Sequence, residues 1–494
     1  MSDTIAVIDL GSNSFHLLVA KQQNGGFQVI DSAKEMVQLA EGLQDNKSIS
    51  QAACQRALDC LSRFGQRLSH LAPEQVRIVG TNTLRAAKRN SDFMNQAEAL
   101  LGHSINIISG VEEARLVYLG VSHSTARDDG RQFVVDIGGG STEIIIGEQF
   151  SPLRMESLYM GCVSMSQRFF TNGKITSRKI NKASIAALLE LEPHIESFKT
   201  IGWKTSIGSS GTIRTVDAIV RENSWSEDGI SSEALDKVLD AICHFEEVDK
   251  INLAGLKKER IPVFIGGVII LRAVFDAFDI DKMKVSTGAL REGLLYDLLG
   301  RKQHESTRFN AVDNLAKRHN VDCEHAKKVE QTVVELWAQV QHDWLLENES
   351  NEHLLRWAAR LHELGLNIAH SQHHKHAAYI VKNTDLDGFS RQEQEVLAIL
   401  IQLHRRGFSK MLVKELEKMK QKIILRLAVL LRIAVILHRS RKPQAVALPV
   451  CRVTGDHITL EFPQDWEQEH PLTIADLHED VPRLKKAGIE LSVL

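Results

Sequence analysis

A chain of 494 residues is longer than one ordinary hydrophobic core supports, so two to four domains are expected. Its 43% apolar and 25% charged residues are those of a globular protein, and a net charge of −3 excludes a globally basic, nucleic-acid-coating surface. Any polyanion site must therefore be a local patch.

The first predicted element is the strand IAVIDL (5–10). The residues before it carry no basic leader and no cleavable apolar run, so no signal peptide is expected. A Gly/Ser turn, Gly11 to Ser14, leads into a second strand, FHLLVA (15–20). Residues 50–71 have helical spacing, with Ser50 as N-cap. VRIVGTNTLRAA (76–87) and INIISGVEEARLVYLG (105–120) each run from strand to helix. At 133 the pattern restarts as FVVDIGGGSTEIIIG, and in register Asp9 matches Asp136, Gly11 matches Gly138 and Ser14 matches Ser141. Further strand-to-helix switches follow at TSIGSSGTIRTV (205–216) and MKVSTGALREGLLYDLLG (283–300). Two α/β lobes opened by the same turn imply a duplication with a cleft between the halves.

After Gly300 the texture is helical to about residue 440, and CRVTGDHITLEF (451–462) returns to strands. The expected domains are 1–124, 125–304, 305–442 and 443–494. The run IILRLAVLLRIAVIL (423–437), taken as the most apolar late stretch, is 15 residues long and broken by Arg426 and Arg432. It is too short and too charged to span a bilayer, and a cytoplasmic protein is expected. The six cysteines contain no CxxC pair and read as reduced, mostly buried thiols.

The paired turns carry the chemistry. A strand delivering Asp into a Gly/Ser turn leaves successive backbone N–H groups pointing one way, a nest for phosphate oxygens. An Asp at the strand end can hold a divalent cation that neutralises the phosphate. Two such turns in register point to phosphate binding by Gly11, Ser12, Asn13 and Ser14 and by Gly138, Gly139, Gly140 and Ser141.

The motifs DLGSNSFHLLV, GTNTLR, ISGVEEARLVYLGV, DIGGGSTEI, MGCVS, GSSGT and GALREGLLYDLLGR resemble one branch of the actin, sugar-kinase and heat-shock ATPase superfamily. That branch is the exopolyphosphatase and guanosine pentaphosphate phosphohydrolase (Ppx/GppA) family, and the resemblance covers almost the whole chain. It implies an α/β fold of two duplicated actin-like (ribonuclease-H-like) lobes, an all-α HD-like domain and a small α/β C-terminal domain. It implies that Glu113 is the general base, that Glu143 and Asp136, with Asp9, hold Mg2+ and water, and that Arg85 grips phosphate. Gly208, Ser209, Gly211 and Thr212 of GSSGT either bind phosphate or allow tight packing. Glu112 is solvated or structural; Arg115 faces phosphate or pairs with a neighbouring acid.

The helical region resembles HD-type phosphohydrolases, whose metal site needs an adjacent His-Asp pair. Here the pair is His362-Glu363, so a scaffold that has lost its chemistry is the expectation. His362, His370, His373, His374, His376 and His404 invite a metal reading, but HSQHHKH (370–376) reads as a solvated loop and no catalytic metal is expected here. From Arg405 to Lys442 a dozen Lys and Arg face only Glu415 and Glu417. Arg405, Arg406, Lys410, Lys414 and Lys418 are read as a polyphosphate channel; with only Phe408 interleaved, base stacking and nucleic acid are not suggested. Mg-dependent exopolyphosphatase activity is the leading expectation, with hydrolysis of guanosine pentaphosphate to tetraphosphate as the alternative. The resemblance also implies a homodimer, and peripheral membrane association through the basic patch is left open. A nucleotide-dependent chaperone or cytoskeletal ATPase would call for an apolar peptide-binding domain that is not found in this sequence, and a catalytically dead alarmone-binding protein is opposed by Glu113 and Glu143.

Overall fold

Strands β1 (Thr4–Leu10), β2 (Phe15–Gln23), β3 (Gly26–Glu35), β4 (Val76–Gly80) and β5 (Asn106–Ile107) form one sheet in the order β3-β2-β1-β4-β5. In the computed structural model, which describes residues 4–23, 26–44, 46–88, 91–125, 130–303, 306–414, 416, 418–441 and 448–494, the chain divides into two units, Met1–His304 and Glu305–Leu494. Glu415, Glu417 and Lys442 of the basic run lie outside the described residues.

The first unit repeats its sheet. Strands β6 (Arg131–Ile137), β7 (Thr142–Glu148), β8 (Ser151–Leu158), β9 (Thr205–Ser209), β10 (Ile230–Ser231) and β11 (Lys282–Val285) pair in the order β10-β11-β9-β6-β7-β8. In both sheets three antiparallel strands are followed by parallel pairings, β1 with β4 and β6 with β9. The duplicated actin-like α/β fold is thus present.

Why β1 and β6 are apolar without alternation follows from burial on both faces. Ala6 and Ile8 face the core under helix Gln51–Leu68, whereas Ile5 and Val7 face the opposite way, toward Val134, Ile145 and Ile207 of the second sheet. Between the sheets lie helices Gly110–Ser124 and Leu290–Gln303. Their approach depends on glycine, because a Cβ at Gly293 would sit 1.8 Å from the Leu116 carbonyl oxygen. Arg115 bonds Glu112 (2.7 Å) on its own helix and Asp297 (2.6 Å) on the other, so it pairs with acids rather than facing phosphate, and Glu112 is structural. Ser50 caps its helix as expected, accepting from the Ala53 amide. The segment Lys258–Phe278 is long and apolar enough to cross a membrane by length and composition, but 78% of its apolar window is packed inside the unit. It, rather than 423–437, supplies the most apolar helix.

In the second unit, helices from Ser306–Arg318 to Lys418–Leu437 precede a three-stranded sheet of β12 (Val450–Thr454), β13 (His457–Glu461) and β14 (Glu490–Val493). One cluster of buried side chains runs through the helices and this sheet, from Val333 and Leu427 to Ile458 and Leu477. Arg432, in the apolar run, is buried and donates to Asp480 (2.8 Å) and to the Leu403 carbonyl (2.8 Å). The stretch read as a solvated loop is corrected here: His373 opens a helix, His373–Asn383, and His373 and His374 are buried. The reading of the cysteines as mostly buried also needs adjustment. All six are free thiols, but only Cys60, Cys162 and Cys451 are buried, while Cys243 and Cys323 are exposed.

Candidate active site

Asp9 and Asp136 each stand one residue before the end of their strand, and the chain then turns through 11–14 or 138–141 into the antiparallel partner. Across the first turn Asp9 lies opposite His16; across the second, Asp136 lies opposite Glu143. The duplication therefore places an imidazole in one lobe where the other carries a carboxylate. The second turn is closed by the Gly138 amide donating to the Ser141 carbonyl at 2.9 Å. The two turns abut so closely that a Cβ at Gly139 would lie 3.0 Å from the Ser12 Cβ.

A cavity of about 140 Å³ lies at this junction. Gly11, Ser12, Asn13 and Ser14 line it from the first lobe, and Gly138, Gly139 and Ser141 from the second. Asp9, Asp136 and Glu113 supply its carboxylates, and Gly211 and Thr212 complete the expected set. Five expected residues do not line it. Glu143 is 1% exposed and accepts from the Ser157 hydroxyl at 2.8 Å. Arg85 donates to Glu113 at 3.2 Å and to the Ile108 carbonyl at 2.9 Å, a hold on the carboxylate rather than an open phosphate contact. Gly140 packs on Asn82, Gly208 packs against Ile213 and Met283, and the Ser209 hydroxyl donates to the Gly288 carbonyl.

Burial dominates the electrostatics. Asp9 is pushed up to about 7 by burial and then by Glu113, and its Oδ1 is buried without a hydrogen-bond partner. Glu113 and Asp136 are raised by burial, against the pull of Arg85 on the first and of the Ser209 hydroxyl on the second. Glu143 is raised well above its usual range by burial and by Glu113 and Asp136. Hard carboxylate oxygens held this unfavourably fit a divalent cation such as Mg2+. Among the described residues no three of these carboxylates bring oxygens within 4.8 Å of one another, which suits an ion that keeps waters and takes ligands from a substrate phosphate.

Four cations on the cavity wall were not anticipated: Lys34, Arg214, Arg260 and Arg291. Arg260 lies over Gly211, where a Cβ would be 1.8 Å from its Nη2. Ser210 adopts φ 92° at the start of helix Ser210–Glu222, a left-handed conformation that non-glycine residues avoid. Arg291 donates to His16 Nδ1 at 2.8 Å, which leaves the proton on Nε2 to donate to the Ser14 hydroxyl at 2.8 Å. Burial and then Arg291 hold His16 down to about 2, so it stays neutral and turns the Ser14 proton outward. A sequence signal existed for two of these cations. Arg291 in GALR stands in the first turn of its helix and Arg214 in GTIR just past the first turn of its own, near N-termini where a cation runs against the macrodipole.

The expected channel residues belong to the second unit. Arg405 donates to His373 Nε2 at 2.7 Å, and with Arg406 it lines a separate cavity of about 620 Å³ that also holds His370 and Lys375. Arg406, Lys410, Lys414 and Lys418 are exposed, whereas Arg439 and Arg441 pair with Asp476 and Asp322.

Paired Asp–Gly/Ser turns, a buried carboxylate group and a cationic rim between duplicated lobes have the chemistry that a phosphoanhydride hydrolase on an actin-like scaffold requires. The model of the Ppx/GppA phosphatase family matches residues 18–302, and that of Ppx/GppA phosphatase, domain III, matches residues 307–481. The chain belongs to this family and is a phosphoanhydride hydrolase. It is 37% identical over 487 residues to a guanosine-5'-triphosphate,3'-diphosphate pyrophosphatase of Aeromonas hydrophila, covering 99% of this chain and 98% of that one. The same description holds for a relative in Pseudoalteromonas translucida, 37% identical over 488 residues with the same coverage. Among solved structures it is similar to an exopolyphosphatase from Cytophaga hutchinsonii, with TM-score 0.56 and 24% identity over 60% of this chain and 98% of that one. An Aquifex aeolicus family member gives TM-score 0.52 and 24% identity over 61% and 99%. These two likenesses speak to the fold.

Proposed function

We propose that this chain removes the terminal 5′-phosphate of guanosine pentaphosphate, releasing orthophosphate and the tetraphosphate. The substrate rests on one observation: the 37% identity spans both proteins end to end in relatives carrying that description, whereas the exopolyphosphatase likeness is one of fold. This reverses the order expected from sequence, where exopolyphosphatase led.

Glu113 orients a water and takes its proton as the water oxygen bonds to the terminal phosphorus. The anhydride P–O bond breaks and the negative charge passes to the shortened phosphate chain. The Gly11–Ser14 and Gly138–Ser141 turns hold phosphate oxygens through backbone N–H groups, and Lys34, Arg214, Arg260 and Arg291 offset the charge that remains. Asp9 and Asp136, which line the cavity, would hold Mg2+, with the Glu143 carboxylate behind the wall adding negative charge, and the ion would supply neutralisation between phosphate oxygens and the carboxylates. A second reading, hydrolysis of inorganic polyphosphate by the same residues, is favoured by the exposed Arg406, Lys410, Lys414 and Lys418.

The test is orthophosphate release with Mg2+ from guanosine pentaphosphate and from long-chain polyphosphate in parallel. A higher kcat/KM on the nucleotide is expected, abolished in Glu113→Gln. Faster turnover of the polymer would install the second reading, and no release from either would overturn both.

A further inference from the structure

The second unit gathers buried histidines from separate elements. His325 lies in helix Cys323–Val340, His362 caps helix Glu349–Leu361, and His404 caps helix Arg391–Leu403. All three are buried, and ring centroids are 5.8 Å apart for His325 and His362 and 5.4 Å for His362 and His404. The tautomers of two are fixed by the backbone. His362 Nδ1–H donates to the Ala359 carbonyl at 2.7 Å and His404 Nδ1–H to the Ile401 carbonyl at 2.5 Å. Each Nε2 therefore carries a bare lone pair, and both are buried without a hydrogen-bond partner. Buried polar atoms in native proteins are nearly always satisfied, so two orphaned acceptors side by side call for a partner.

Glu363 supplies the third donor. Its Oε1 lies 3.9 Å from His325 Nε2 and 4.0 Å from His362 Nε2, and one ligand atom from each of the three residues falls within 4.8 Å of the others. Those separations are too long for hydrogen bonds. Donors 2.0–2.2 Å from one tetrahedral zinc lie about 3.3–3.6 Å apart, so a shared ion needs the Glu363 carboxylate to close on each imidazole by only a few tenths of an ångström. The same carboxylate also pairs with Arg441, so an ion would share it with that guanidinium or displace it.

We propose that His325, His362 and Glu363 bind one divalent transition-metal ion of the zinc class, with the His404 lone pair beside them. Two imidazoles and a carboxylate favour Zn2+ over Mg2+, and an Nδ1–H anchored on a backbone carbonyl is the outer-sphere partner that metal-bound histidines carry. The ion ties helix Cys323–Val340 to the end of helix Glu349–Leu361, so it acts on the second unit and is distinct from the carboxylates of the first. Glu363, read from sequence as the mark of lost chemistry, is long enough to reach between both imidazoles.

The experiment titrates the chelator-stripped full chain with zinc chloride alone, by calorimetry and by metal analysis after equilibrium dialysis. One zinc per chain is expected in wild type and in Asp136→Asn. Glu363→Gln and His362→Gln should each weaken binding at least about 10- to 100-fold, the loss typical even of outer-sphere partners. Zinc should raise the Tm of wild type and leave that of Glu363→Gln unchanged, and cobalt(II) should give a visible absorption band only where Glu363 is intact. Circular dichroism in chelator checks that each variant folds; should His362→Gln not fold, Glu363→Gln and His325→Gln carry the test. No stoichiometric zinc in wild type, equal binding by a folded Glu363→Gln, or loss only in Asp136→Asn would overturn the proposal.

Discussion

Glu113 is held by Arg85 at 3.2 Å in a pocket whose burial raises its pKa against the pull of that guanidinium. Converting it to Gln should lower kcat by about 10²- to 10⁴-fold with little change in KM, measured as orthophosphate release. Arg85→Gln removes the cation that favours the charged base. The Glu113 pKa then rises further, and the acid limb of the pH–rate profile should move to higher pH. Asp9 gives a stability signature. Its pKa rises from 3.8 to about 7 on folding, so the folded state holds a proton that the unfolded state has lost. In chelator, stability from this group is complete below about pH 4 and is lost as pH rises through about 7. Denaturant midpoints at pH 5 and pH 8 should differ in that direction. Asp9→Asn should flatten the difference, and so should added Mg2+.

Two devices hold elements together. Helices Gly110–Ser124 and Leu290–Gln303 touch backbone to backbone at Gly293, so Gly293→Ala must push them apart. A loss of about 1–3 kcal/mol is expected from denaturant midpoints, with a fall in activity because Glu113 and Arg291 ride on those two helices. In the second unit the buried Arg432 relies on Asp480. Asp480→Ala leaves a buried guanidinium without its acid and should cost about 3–5 kcal/mol. The active turns are also an element-scale matter: strand, Asp, Gly/Ser turn and strand are contiguous, so they were legible from sequence. Lys34, Arg214, Arg260 and Arg291 were not, since they come from four elements spread over more than 250 positions.

At the scale of the whole molecule, the exposed cations of the second unit separate the two substrates. Neutralising Lys410, Lys414 and Lys418 together should slow polyphosphate hydrolysis several-fold and leave the pentaphosphate rate within about twofold, because the many charges of a long polyanion are drawn by exposed cations far more strongly than the few of a compact nucleotide. Added salt should depress the polymer reaction more steeply for the same reason. A homodimer, implied by the family resemblance, is checked by the mass in light scattering.

What the sequence determined by itself was whatever is local: the continuous apolar strands, the repeated Asp-to-glycine turn, and hence a duplicated α/β unit with a phosphate-type turn in each half, followed by helices. Hydrophobic patterning and glycine stereochemistry act over a few residues, so they can be read without coordinates. Only the tertiary structure decided that Arg115 pairs with Glu112 and Asp297, that Glu143 stands behind the cavity wall, and that His325, His362 and Glu363 meet. Those outcomes depend on which helices pack together, and electrostatics and ligation act through space between residues the chain keeps far apart.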